Sequence, residues 1–270
     1  MKKGIYCIVL LLFFFVASCK EEPEIVKNTF LSIQFVHNVD DSPIVLDTKH
    51  YYNEAGSKYL INEVKYFISG LYLYKRDGTK VKISQDDGIH YVDMDYPSTL
   101  SWNISEYISE GYYDSLGFVF GLSRTDNQSY RFLNPPESNM AWPQLLGGGY
   151  HYMMINGWFE RGDTVSAPLN IHLGRGQIYQ GSTNAVDSII GFVDNHFQVT
   201  LAQSFLIKRD QTANLTLVMN IENWFKEPFV YDFNYWGSHI MQNQAAMQML
   251  KENGKKNVFS VGAKNLSPLH

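Results

Sequence analysis

Four histidines, four methionines and one tryptophan carry the metal chemistry open to this chain. His37 ends an alternating apolar segment, His151 stands in YHYMM, His172 in PLNIHLGRGQ, and His239 opens a helix-like stretch. Imidazole is a borderline ligand that suits copper or zinc, and the thioethers of Met140, Met153, Met154 and Met241 extend such a set toward Cu(I). Taken singly, a histidine more often satisfies a buried polar group and a methionine more often fills core space. Thiolate sites and cysteine nucleophiles are excluded beyond the first 19 residues, because Cys7 and Cys19 are the two cysteines of the chain. A chain with no spare thiols holds together by packing, without disulfides.

Enzyme signatures are missing. The chain has no G-x-S-x-G elbow, no H-E-x-x-H and no P-loop. Gly147, Gly148 and Gly149 lead into a strand pattern rather than a helix, so they offer a tight turn and no helix N-terminus for phosphate. Asp40-Asp41 and Asp93-x-Asp95 lack the spacing of a calcium loop, and carboxylate pairs such as Asp86/Asp87 do not identify a glycosidase. The expectation is a binding protein, not an enzyme.

The elements that must position these residues read mainly as strands. FLSIQFVHNV alternates apolar and polar residues. KYLINEVKYFISGLYLYKRDG reads as two strand-like stretches closed by Asp77-Gly78, and TKVKIS resumes after the turn. Further strands are expected in SLGFVFGLS, YHYMMINGWFE, PLNIHLG, FQVTLAQSFLI and NLTLVMNI. A short helix is predicted in IENWFKEP and a longer one in SHIMQNQAAMQMLKENG, with Ser238 as N-cap, Gly254 past its end, and Ile240, Met247 and Leu250 on one face. The pattern predicts an all-β fold, an antiparallel β-sandwich-like domain with one or two short C-terminal helices.

Residues 1–18 have the form of a signal peptide: Lys2 and Lys3, an apolar run over 5–16, and Val16-Ala17-Ser18-Cys19 as a lipobox. The run is shorter than the roughly 20 residues needed to span a bilayer. Cys19 is therefore expected to be lipidated, residues 19–28 to form a tether, and 29–270 to form one β domain. Lys20-Glu21-Glu22 resembles the export signal of Bacteroidetes surface lipoproteins, which places the protein on the outer membrane, at its periplasmic face or at the cell surface. The formal net charge of −5 becomes about two units more negative when Lys2 and Lys3 leave with the signal. With no basic patch, nucleic acid is a poor partner.

The stretch FVFGLSRTDNQSYRFLNPPESNMAWPQLLGGGYHYMMINGWF, followed by IHLG, resembles the MbnP family of exported copper-binding proteins in its Bacteroidetes lipoprotein form. The likeness rests on Phe120-Gly121, Asn127, Leu133-Asn134-Pro135, Met140-Ala141-Trp142, Gly149-Tyr150 and His172-Leu173-Gly174. The opening FVHNVDDSPIVLD and the closing HIMQNQAAMQMLKENGKKNVFSV extend it over nearly all the chain after the signal. The resemblance implies a β-sandwich-like fold, copper as the bound metal, and a di-haem partner that oxidises a tryptophan in some members. It makes His37 and His172 the ligand candidates, with His239 as a third. Met140 and Trp142 of the M-x-W motif become site-lining residues, Trp142 being the one to watch for modification. Gln144 stands where a second tryptophan is common and Gln177 where a cysteine is common, departures that bear on the copper chemistry rather than the fold. The alternative reading is a surface module that stacks glycans or peptides on Trp142, Trp158, Trp224 and Trp236.

Overall fold

Alternation in Thr29–Val39 becomes β1, which buries Leu31, Ile33, Phe35 and His37 on one face and turns the intervening side chains outward. Each fully buried Leu, Ile or Phe contributes about 1.5–3 kcal/mol through the area it takes from water. In the computed structural model, residues 29–162, 165–237 and 239–268 are described, with side chains described as far as residue 262. The signal, Cys19 and the tether lie outside the described residues, as does Ser238.

After β1 come β2 (Ser42–Pro43), β3 (Tyr51–Tyr52), β4 (Lys58–Lys75), β5 (Lys80–Lys82), β6 (Ile89–Asp93), β7 (Ser101–Glu106) and β8 (Gly111–Phe120). A long loop leads to β9 (Met153–Arg161) and β10 (Val165–Leu173), followed by β11 (Gly176–Tyr179), β12 (Ile189–Val193), β13 (Phe197–Ile207) and β14 (Gln211–Asn220). The chain closes with α1 (Phe233–Trp236), α2 (Gln244–Lys256) and β15 (Phe259–Pro268).

Most of the described strands form an all-β, sandwich-like pair of sheets, and β11 and β12 pair as a separate two-stranded sheet. One sheet has the order β15-β14-β1-β2, with β7 also on β1; the other has β10-β9-β4-β8-β13, with β3, β5 and β6 on β4. Pairing is antiparallel except between β1 and β14, which run parallel. Rings from both sheets meet in the core: Phe35 lies 6.5 Å from Tyr66, and Phe118 lies 5.4 Å from Phe259. Such edge-on pairs suit the aromatic quadrupole.

Three local expectations are corrected. The two stretches read in KYLINEVKYFISGLYLYK are one 18-residue strand, bent by register irregularities at Ile61/Glu63 and Ser69/Tyr72. IENWF forms a 3₁₀ turn, Ile221–Phe225, rather than an α-helix. The last helix starts at Gln244, not after Ser238: Asn243 is its N-cap and accepts from the Ala246 N–H, while Gly254 lies inside it against Trp224. Met247 and Leu250 are buried on the helix as their spacing predicts, while Ile240, also buried, precedes the helix rather than sharing its face. Among the described residues, no helix is long and apolar enough to cross a membrane.

Candidate metal centre

His37 lies on the inner face of β1, buried, with Nε2 3.1 Å from the Tyr66 hydroxyl. Burial lowers its pKa to about 4, so the ring is neutral near pH 7. Burial also raises the Tyr66 pKa, keeping it a phenol that can pair with a neutral imidazole.

The ladder separates His37 from His172. Tyr66, Met153 and Leu173 stand opposite one another across β4, β9 and β10, and all three are buried. Residues opposed in register share a face, and adjacent residues on a strand point to opposite faces. Tyr66 faces His37 in the space between the sheets. His172, one residue from Leu173, therefore faces away from it. The structure does not bring His37 and His172 into one site.

His172 is instead brought to His151. The two rings stand 5.0 Å apart and nearly perpendicular, at 86°. His151 precedes β9, and its Nδ1 lies 2.9 Å from the Met140 carbonyl oxygen. A carbonyl only accepts, so Nδ1 carries the proton and the lone pair sits on Nε2. That Nε2 is buried and has no hydrogen-bond partner. His172 Nε2 lies 2.8 Å from Oδ1 of Asn156, whose Nδ2 donates to Glu63 Oε2 at 2.5 Å. The amide oxygen accepts from His172, so Nε2 bears the proton and Nδ1 the lone pair. Desolvation by burial lowers the pKa of His151 to about 4. Burial first, then His151 and His239, lowers that of His172 to about 3. The pair is two neutral imidazoles, each with one unprotonated ring nitrogen, Nε2 of His151 and Nδ1 of His172.

The M-x-W loop supports this pair. Met140 is buried and supplies the carbonyl that orients His151. Trp142 is buried, lies 4.7 Å from the His151 ring at 69°, and donates from Nε1 to the Leu146 carbonyl at 3.2 Å. The glycine run that follows takes positive φ at all three positions, so the chain turns at Gly147–Gly149 and returns to bridge Ala141 with Tyr150. Asn127 accepts from the Tyr150 N–H at 2.7 Å and fixes that return. A cleft of about 320 Å³ opens on His172, lined also by Asn170, His239, Ile240 and Met241 among others, with His151 buried behind it. His239 is exposed at this cleft. Among the described residues, no three His, Cys, Asp or Glu side chains are grouped so as to hold a metal ion.

The site thus differs from the set expected from resemblance. His172 and His239 line one cleft, Met140 and Trp142 pack on His151, and His37 lies on the other face of the sheet. His151 was legible as one of several histidines, but nothing in YHYMM marks it as the partner of His172. Glu63 and Asn156 carried no signal, because polar residues alternating along a half-buried strand are ordinary. The glycan-stacking reading loses two rings, since Trp142 and Trp224 are buried; Trp236 packs against Tyr231, and Trp158 is half-exposed.

The sequence profile of the MbnP family matches residues 28–246. Among solved structures, MbnP from Methylosinus trichosporium is similar, with a TM-score of 0.49 at 17% identity over 89% of this chain and 100% of that one. No curated protein sequence matches this chain significantly.

Proposed function

The chain belongs to the MbnP family, and from that premise we propose that it is a non-enzymatic copper-binding lipoprotein acting outside the cytoplasm. One observation carries the reading: the buried, unpartnered Nε2 of His151 beside the neutral ring of His172. A buried polar atom without a partner costs free energy unless something binds it, on the order of 1–3 kcal/mol. Two neutral imidazoles in a site without thiolates favour copper by ligand type and affinity order. His151 and His172 would hold the metal, with His239 or Met241 at the cleft as the third donor; when bound, copper supplies storage and transfer of a redox-active ion. Both rings already have their non-ligating nitrogens engaged, which is how metal-binding histidines are usually held.

The lipobox supports anchoring through Cys19 to the outer membrane, facing the periplasm or the cell surface. A di-haem partner is the protein that the resemblance implies, with Trp142 as its target. Copper content is the test. Wild-type protein purified after Cu(I) loading should retain copper and His151→Ala/His172→Ala should not, while His37→Gln retains it. Equal retention in wild type and the His151/His172 variant would remove the site.

A further inference from the structure

A file of polar side chains crosses the outward face of the second sheet and ends on His172. It begins at Asp93 on β6, fully buried, which accepts from the Tyr91 hydroxyl at 2.7 Å and from the Asp95 N–H at 2.9 Å. Lys65 Nζ lies 3.5 Å from Asp93 Oδ2 and 2.5 Å from Glu63 Oε1. The other oxygen of Glu63 takes the Asn156 amide N–H at 2.5 Å, and Asn156 Oδ1 takes His172 Nε2 at 2.8 Å. The register makes these contacts possible. Lys65, Met154 and His172 form one row across β4, β9 and β10, and Glu63, Asn156 and Asn170 form the next. Asn156 reaches His172 along the diagonal between those rows.

We propose that Glu63 is a positioning residue that sets the tautomer of His172 and thereby keeps the lone pair on Nδ1, the nitrogen that would hold the metal. This inference rests on the copper reading of the same site. A carboxylate only accepts hydrogen bonds, so Glu63 obliges Asn156 to turn its NH₂ toward it and its carbonyl toward the ring. The amide carbonyl in turn requires a proton on His172 Nε2. Lys65, bonded to the other oxygen of Glu63 and flanked by Asp93, fixes the carboxylate in place. A glutamine at position 63 can donate as well as accept. The amide of Asn156 is then free to flip, and the proton of His172 can move to Nδ1, the atom the site needs bare.

The test uses the full chain in detergent, metal-free, with ¹⁵N-labelled histidine and the His172 signals assigned by their loss in His172→Gln. Long-range ¹H–¹⁵N correlation spectra at pH 7.5 should show wild-type His172 protonated on Nε2. Glu63→Gln should shift the population toward Nδ1–H. Adding Asn156→Asp to that variant should restore Nε2–H, because a carboxylate at 156 accepts from the ring whatever stands at 63. Cu(I) affinity, read by competition with bicinchoninate, should fall 10–100-fold in Glu63→Gln and recover in the double variant. A purely packing role for Glu63 would change thermal stability and leave the tautomer alone. An unchanged tautomer or an unchanged affinity in Glu63→Gln overturns the positioning role. Wild type that shows the Nε2–H tautomer but takes no Cu(I) overturns the copper reading instead.

Discussion

Gly174 lies directly against the face of Trp142: a Cβ at Gly174 would stand 2.5 Å from indole Cζ3. The glycine of the H-L-G motif is therefore a packing requirement of the M-x-W tryptophan. It joins the end of β10, which carries His172, to the loop that orients His151. Gly174→Ala should destabilise the protein by about 1–3 kcal/mol, the usual cost of overpacking a filled core. Thermal unfolding followed by tryptophan fluorescence will show it, and an unchanged melting temperature would mean that the contact is loose.

Acid should weaken the fold through His37. Its folded pKa of about 4 lies below the ordinary 6.5 because burial disfavours the charged ring. Below pH 6.5 the unfolded chain binds a proton that the folded chain refuses until about pH 4. Stability is therefore full above 6.5 and is lost as pH falls toward 4. The expected loss from this one group between pH 7 and pH 5 is about 2 kcal/mol. Urea unfolding of wild type and His37→Gln at both pH values measures it, and the variant's decline should be smaller by that amount.

Asn253 is a buried polar residue of α2 that ties the helix to the segment before it. Its Nδ2 donates to the carbonyls of Trp224 and Phe229, each at 2.8 Å, and its Oδ1 accepts from the Phe229 N–H at 3.0 Å. Asn253→Ala strands three backbone groups and should lower stability by about 2–4 kcal/mol, given 1–3 kcal/mol for each buried group left unpaired and partial relaxation. A denaturation midpoint within error of wild type would show that water reaches these groups.

Metal should stabilise the native state through His151. Free Cu(I) buffered at 100 times its dissociation constant adds about 2.7 kcal/mol if it binds only the folded chain. The rise in melting temperature should vanish in His151→Ala and persist in His37→Gln. A rise that survives His151→Ala places the metal elsewhere.

Much of the fold was legible because its signals are local. Alternation in Thr29–Val39 buries one face of a strand whatever its partner. Asp77-Gly78 turns the chain because Gly78, at φ 85°, can adopt a left-handed backbone at no steric cost. The resemblance carried by Met140, Trp142 and His172 named the family. The long strand β4 escaped local reading, because its bulges look like a break between two strands until both flanks are seen to pair with β8 and β9.

The sequence by itself determined the β class, the missing thiols, the aromatic core and the identities of the metal-capable side chains, since composition and short periods belong to the chain alone. Only the tertiary structure decided which histidines meet. A shift of one residue along a strand exchanges faces, so the parity of His172 against Leu173, Met153 and Tyr66 places His37 across the sheet. The turn through Gly147–Gly149 then carries His151, held by the Met140 carbonyl, to the ring of His172. Register and loop closure are relations between distant segments, and no single stretch of sequence contains them.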